Sequence, residues 1–210
     1  MFPPLYAILD PSRTQIPLTE LAVQLADAGV SLMQLRSKQA SAARMFDQAS
    51  ELAVALAQRE VRFIVNDRPD IAALVKSGGV HVGQDDLPVG DARKLCPSPL
   101  WVGVSTHNLA QFEQALATSA DYIAVGPIFP TATKENPDPV VGLDLLRAVR
   151  PLTRKPIVAI GGITLAQVGQ VYEAGADSVA VIQDLIVAPD PAERAREYLK
   201  IARETLGSGR

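Results

Sequence analysis

Apolar positions along the chain gather into eight short runs: LYAIL (5–9), LMQLR (32–36), RFIVN (62–66), GVHVG (79–83), WVGVS (101–105), YIAVG (122–126), PIVAIG (156–161) and SVAVI (178–182). They are often β-branched and show no strict alternation with polar residues. That pattern predicts strands buried on both faces, as in a parallel sheet. Longer Ala-rich stretches separate them, such as LTELAVQLADAG (18–29) and SAARMFDQASELAVALAQRE (41–60). In the second, Met45, Ala49, Leu52 and Leu56 recur at helical spacing and keep one face apolar. Thr164 with Gln167, and Asn108 with Gln111, have the spacing of capping boxes at helix starts. Gly29 and Gly175 are placed to end helices just before a strand.

Parallel strands joined by helical crossovers fit an open doubly wound sheet or a closed barrel. Eight strand–helix units in a chain of 210 residues are what a minimal single (β/α)8 TIM barrel requires. No G-x-G-x-x-G follows the first run, which weakens the dinucleotide-binding alternative. AGVSLMQLR, SGGVHVG, SADYIAVG and AGADSVAVI each pass from a small residue into a strand, a weak internal repeat. No linker interrupts residues 1–210, so one domain is expected, with the tail GSGR (207–210) frayed.

Composition narrows the picture further. With 48% of residues in the hydrophobic set and 20% charged, the chain can bury one sizeable core. A net charge of −3, a pI near 5.4 and the lack of a basic block argue against a nucleic-acid surface. One cysteine, Cys96, excludes an intrachain disulfide and fits a buried thiol in a reducing compartment. MFPPLYAILD lacks the pattern of a signal peptide, and no apolar run reaches the ~18–20 residues of a membrane span. The expected setting is the cytoplasm and the expected partners are small molecules. The sequence does not fix assembly, and a homodimer is compatible with it.

In a (β/α)8 barrel, residues just past the carboxyl ends of the strands share one mouth. Here those positions carry Gln34, Arg36 and Lys38; Asn66, Asp67 and Arg68; Gln84, Asp85 and Asp86; Ser105, Thr106 and His107; Thr131, Thr133 and Lys134; Gly161 and Gly162; and Ile182 and Gln183. Arg36, Lys38 and Lys134 can meet phosphate oxygens. Asp67 and Asp86, on adjacent strands, suit Mg2+, which takes few protein ligands and completes its octahedron with water and phosphate oxygens. Gly161–Gly162, with the helix start after the last strand, suit a backbone phosphate cradle. Two anion sites are expected, one metal-assisted and one built of main chain. Structural readings stand beside these: an Asp67–Arg68 ion pair, solvated Asp85 and Asp86, turn hydroxyls at Thr131 and Thr133, a turn at Gly161–Gly162, and a loop or capping role for His107. Tyr6 and Trp101 read as core or pocket wall. Gln34, an amide inside a buried strand, needs a hydrogen-bond partner.

At these residues the chain resembles the thiamine-phosphate synthases, within the thiamine monophosphate synthase and thiazole tautomerase superfamily. The matching stretches are QLRSK (34–38), VNDR (65–68), GVHVGQDDLP (79–88), GVSTH (103–107), DYIAVGPIFPTATK (121–134), PIVAIGGI (156–163) and GADSVAVI (175–182), in family order over almost the whole chain. The resemblance implies a transferase that joins hydroxymethylpyrimidine diphosphate to thiazole phosphate through a pyrimidine carbocation. It implies that Gln34 holds the pyrimidine, that Arg36, Lys38 and Asn66 bind the diphosphate, and that Asp67 and Asp86 ligate Mg2+. Ser105 would sit near the reacting methylene. Thr131, Thr133 and Lys134 would line the diphosphate and thiazole phosphate, and Gly162 with the backbone of Ile182 and Gln183 would hold the latter. Arg36, Lys38, Ser105 and Lys134 would be the catalytic groups.

Two positions depart from the family. Gln183 stands where serine is usual, and Ser37, between Arg36 and Lys38, stands where an acidic residue is frequent; Ser37 is expected to point away from the mouth. Two rival readings remain. A thiazole tautomerase would lack the aspartate pair and T-x-T-K and would lean on the histidine after strand 5. A non-catalytic phosphate sensor would need only the glycine cradle. The polar stretch 131–141 reads as a lid.

Overall fold

A computed structural model of the chain describes residues 2–131 and 138–207. Strands and helices alternate along it: β1 (Leu5–Leu9), α1 (Leu18–Asp27), β2 (Leu32–Leu35), α2 (Ala42–Leu56), β3 (Arg62–Asn66), α3 (Pro69–Leu74), β4 (Gly79–Val82), α4 (Val89–Leu95), β5 (Trp101–Thr106), α5 (Leu109–Leu116), β6 (Tyr122–Val125), α6 (Gly142–Val149), β7 (Ile157–Ile160), α7 (Val168–Glu173), β8 (Ser178–Val181), α8 (Gln183–Ile186) and α9 (Pro191–Gly207). The strands pair in parallel in chain order, and β1 closes on β8, giving the expected eight-stranded barrel. Each apolar run of the sequence corresponds to one strand, β5 extending one residue past its run to Thr106.

Why the runs lack alternation is visible in the two faces of the sheet. One set of positions, including Ala7, Met33, Val65, Val80, Val102, Ile123, Ala159 and Val179, packs outward into the large core beneath the helices. The other set, Tyr6, Ile8, Leu32, Ile64, Tyr122, Ala124, Val158 and Ala180, fills the inside of the barrel. Both sets are buried, so both are apolar. The interior is closed at the N-terminal ends of the strands by Phe2, stacked on Trp101 at 5.0 Å between centroids, with the Arg62 guanidinium 3.9 Å above the indole. Trp101 is therefore a plug below the cavity.

The helices follow the sequence logic with small differences. Met45, Ala49, Leu52 and Leu56 form the buried face of α2. Truncating Leu52, which is fully buried, to alanine would cost about 2–5 kcal/mol. Gly29 and Gly175 take φ of +100° and +111° after α1 and α7. Asn108 caps α5 by accepting from the Gln111 N–H at 2.9 Å, but the Gln111 side chain takes the N–H of His107 rather than that of Asn108. The expected box at Thr164–Gln167 does not start α7, which begins at Val168. The Thr164 hydroxyl donates instead to Gln167 Oε1 at 2.9 Å within a turn, while the Leu165 N–H is capped from elsewhere by Asp184 at 3.1 Å. Gly207, expected in a frayed tail, is the last residue of α9. Cys96 is buried, its thiol donates to the Pro69 carbonyl at 3.5 Å, and burial raises its pKa. Among the described residues, no helix is long and apolar enough to cross a membrane.

Candidate active site

A cavity of about 760 Å3 opens at the carboxyl ends of the strands, and residues of all eight strands reach it. The strand-end rule used above thus brings Gln34, Arg36, Lys38, Asn66, Asp67, Asp86, Ser105, Thr131, Gly162, Ile182 and Gln183 to one place. Thr133 and Lys134 lie outside the described residues, as does most of the stretch read as a lid.

The charged rim is built from β1 to β4. Arg36 donates to Asp10 Oδ2 at 2.8 Å, and the other oxygen of Asp10 accepts from the backbone N–H and hydroxyl of Ser12 at 3.0 and 2.6 Å. Asp10 is buried, so the guanidinium is held by a fixed carboxylate. Asp10 was not among the residues singled out from sequence, although it directly follows LYAIL and the strand-end rule covers it. Lys38 forms an ion pair with Asp67. Asp67 sits at φ +63°, a left-handed conformation that aspartate tolerates better than most residues. Arg68, one possible partner for it, forks instead onto Asp70 at 2.9 and 2.5 Å. Asp86 accepts from the Gly83 N–H at 2.7 Å.

Burial, opposed by Lys38 and reinforced by the adjacent Asp86 carboxyl, pushes Asp67 up to about 6. Asp86 lies beside Asp67, so the two carboxyls act on each other. Such a pair is unfavourable as two bare anions and is relieved by a proton, an ammonium or a metal ion. Lys38 supplies the ammonium here. Among the described residues no cluster of three or more His, Cys, Asp or Glu forms, so the donor set fits a cation that retains most of its water, as Mg2+ does. Ser37 is turned away, donating to Gln48 Oε1 of α2 at 2.9 Å.

Deeper in, Gln34 donates to the Tyr6 hydroxyl at 2.6 Å, which answers its need for a partner. The contact continues through Tyr122 to His81 and Ser105. Burial pushes His81 down to about 4 and raises both phenols, so all three rings are neutral at pH 7. His81 and Tyr122 were passed over in the sequence. A histidine inside a buried strand carries the same signal as Gln34 and could have been found by it; Tyr122 reads simply as apolar.

The opposite rim is built from main chain. Gly161 and Gly162 have φ of +99° and +65°, and a Cβ on Gly162 would lie 2.4 Å from the Pro130 carbonyl oxygen. Among the described residues, the N–H groups of Gly162 and Gln183 donate to no protein group. The Asp184 carboxylate is occupied with the Leu165 N–H, Arg194 and Tyr198. His107 holds the Gly126 carbonyl through Nδ1 at 2.7 Å, with Asp138 3.6 Å from its other nitrogen. This agrees with the loop reading of that histidine.

Comparison with known proteins agrees with the geometry. A family model described as thiamine monophosphate synthase matches residues 5–185. The thiamine-phosphate synthase of Koribacter versatilis is 52% identical over 95% of both chains, and that of Methanospirillum hungatei 43% identical over 91% of both. The solved thiamine phosphate pyrophosphorylase of Pyrococcus furiosus superposes with a TM-score of 0.88, at 32% identity over 97% of each chain.

Proposed function

The chain belongs to the thiamine monophosphate synthase family and is a transferase of thiamine biosynthesis, and from that premise we propose how its residues couple hydroxymethylpyrimidine diphosphate to thiazole phosphate. The observation that carries the assignment of roles is the meeting of Arg36, Lys38, Asp67 and Asp86 at one rim of a single cavity. Two cations beside two carboxylates suit a diphosphate that arrives with a divalent ion. A monoanion would need only the cations, and a free metal ion only the carboxylates.

Gln34 holds the pyrimidine at the depth of the cavity. Arg36, Lys38 and Asn66 hold the diphosphate, and Asp67 and Asp86 would hold Mg2+. When bound, Mg2+ supplies neutralisation of the charge that builds on the leaving oxygens. Lys38 exchanges its contact with Asp67 for one with diphosphate. Gly162 and the backbone of Ile182 and Gln183 hold the thiazole phosphate, with Thr131, Thr133 and Lys134 between the two anions.

The chemistry needs no activated nucleophile, and none is arranged among the described residues. His81 is bound to Ser105 and to a phenol, not to a carboxylate. The bond from the pyrimidine methylene to oxygen breaks first, and its electron pair leaves with the diphosphate. The thiazole nitrogen then supplies its lone pair to the methylene cation, closing the new C–N bond. Arg36, Lys38 and Lys134 stabilise the departing charge, and Ser105 stands beside the methylene. Holding both substrates in register supplies much of the remaining rate. The reaction is assigned to the cytoplasm, where Cys96 stays a thiol.

The test is direct. Purified protein mixed with both substrates, with and without Mg2+, should form thiamine phosphate and diphosphate only when Mg2+ is present. Absence of diphosphate release under any condition would leave a tautomerase or a phosphate sensor on the same barrel.

A further inference from the structure

Three buried polar side chains have no part in the reaction as derived above: Tyr6 and His81, which line the cavity, and Tyr122 between them. They join Gln34 on one side of the barrel to Ser105 on the other in an unbroken row. Gln34 Nε2 lies 2.6 Å from the Tyr6 hydroxyl, which lies 3.0 Å from the Tyr122 hydroxyl; His81 Nδ1 follows at 3.1 Å, and His81 Nε2 reaches Ser105 Oγ at 2.8 Å. The rings of the row also pack on one another. The imidazole is stacked on the Tyr122 ring at 5.6 Å, and Tyr6 meets the same ring edge-on at 6.0 Å. Gly103 leaves the space that Tyr122 fills, since a Cβ there would lie 2.1 Å from the phenol ring.

The donors decide the direction. An amide nitrogen only donates, so Tyr6 accepts from Gln34; its other hydroxyl contact is Tyr122, and giving its single proton there satisfies that proton inside the barrel. Tyr122 has then accepted one bond and donates its own proton to His81 Nδ1. A neutral imidazole that accepts at Nδ1 carries its proton on Nε2, which donates to Ser105. We propose that Tyr6, Tyr122 and His81 are positioning residues: they run this row one way, hold His81 as the Nε2–H tautomer, and leave the Ser105 hydroxyl proton free to be donated into the cavity. Gln34, its nitrogen engaged at Tyr6, presents its carbonyl oxygen as an acceptor. The barrel thereby offers an acceptor at β2 and a donor at β5. That pattern selects a ring that carries an amino donor and a ring-nitrogen acceptor and disfavours one with those polarities exchanged. Naming that ring as the pyrimidine substrate rests on the function proposed above; the direction of the row does not.

The direction is read by nitrogen-15 NMR of the imidazole rings. The chain has two histidines, and a His107→Gln variant identifies which signals belong to His81. The expected result is a bare Nδ1 and a protonated Nε2 on His81. A proton on Nδ1 would mean that the row runs the other way, from Ser105 to the Gln34 carbonyl, and would overturn the proposal. Tyr122→Phe keeps the ring and removes only the donor to Nδ1. It should give a mixture of His81 tautomers and lower kcat about 10-fold, with KM for thiazole phosphate unchanged. In a Ser105→Ala background the same substitution should lower kcat less than about 2-fold, because the group it orients is gone. An equal loss in both backgrounds would make Tyr122 merely structural and overturn the proposal. If the wild-type protein formed no thiamine phosphate, the functional reading would fall, while the tautomer would still be decided by the spectrum.

Discussion

The β2–β4 side of the mouth carries Arg36, Lys38 and the Asp67 and Asp86 carboxyls; the β7–β8 side carries Gly161, Gly162 and Gln183, and under the function proposed above each side would meet one anion. The first half would recognise charge with charge. Its groups are long or ionisable, and each is held by another residue: Arg36 by Asp10, Lys38 by Asp67, Asp86 by the Gly83 N–H. The second half would recognise shape with backbone, and its position depends on the absence of side chains at Gly161 and Gly162. Failure should therefore look different in the two halves. Loss of a charge should reduce turnover in a well-folded protein, whereas addition of a methyl group should disturb the fold and one substrate together.

The largest effect is expected on the charged side. Asp67→Ala or Asp86→Ala should lower turnover about 10²-fold or more, the scale for losing one preorganised charge-stabilising group, with little change in Tm. Steady-state kinetics with circular dichroism melting separates the two readouts. Near-normal turnover in both variants would reject the charged half as the reacting end. On the other side, Gly162→Ala places a Cβ 2.4 Å from the Pro130 carbonyl at a φ of +65°. It should destabilise the protein by about 1–3 kcal/mol and raise KM for thiazole phosphate more than KM for the pyrimidine diphosphate. Equal shifts in both KM values would mean that the halves are not separate sites.

Asp10 sharpens the contrast within the charged half. Asp10→Asn keeps an oxygen for Ser12 but removes the charge that holds Arg36. KM for the pyrimidine diphosphate should rise about 10-fold, the scale of one charge-assisted hydrogen bond, and KM for thiazole phosphate should stay constant. A rise in the second constant alone would place Arg36 on the wrong anion.

The charged half should also respond to pH where the backbone half does not. Burial and Asp86 raise Asp67 to about 6, above the ~3.9 of an unfolded aspartate. The folded, metal-free protein therefore binds this proton more tightly than the unfolded chain. Its contribution to stability is full below pH ~4 and is lost as pH rises through about 6. Mg2+ needs the carboxylate, so its apparent affinity should increase several-fold from pH 5 to pH 7 and level off above. Titration calorimetry at the two pH values measures this, and Asp67→Asn should flatten the trend.

The charged half was also the more legible in the sequence, because strand-end residues declare their chemistry by type. Asp67, Asp86, Arg36 and Lys38 needed only the positions of the strands, which the apolar runs supplied almost to the residue. The partners that hold them were less visible. Asp10 follows the same rule but has no companion charge in its own loop. Its role depends on Arg36 of the next strand, a contact fixed by the Leu9–Leu35 register. Tyr122 is legible only in three dimensions, because its hydroxyl matters through what it meets across the barrel. At Thr164–Gln167 a local capping signal lost to a tertiary one, the Asp184 carboxylate arriving from α8.

The smallest expected effect tests whether the glycine rim is indifferent to side chains. Gln183 is exposed at the cavity edge, at the first position of α8. Its N–H is available to an anion whatever the side chain, so the backbone contact should survive substitution. A serine there adds a short hydroxyl donor and releases a flexible amide that must otherwise be ordered on binding. One added neutral hydrogen bond contributes about 0.5–1.5 kcal/mol, partly offset by hydroxyl desolvation. Gln183→Ser should therefore tighten thiazole phosphate binding by about 2- to 3-fold and leave the pyrimidine diphosphate constant untouched. Unchanged affinity would mean that the Gln183 amide already supplies the missing donor, making this rim less purely backbone than its glycines suggest. A several-fold loss would mean that the glutamine side chain is itself a principal contact, and the division of the mouth into a side-chain half and a main-chain half would then have to be redrawn at β8.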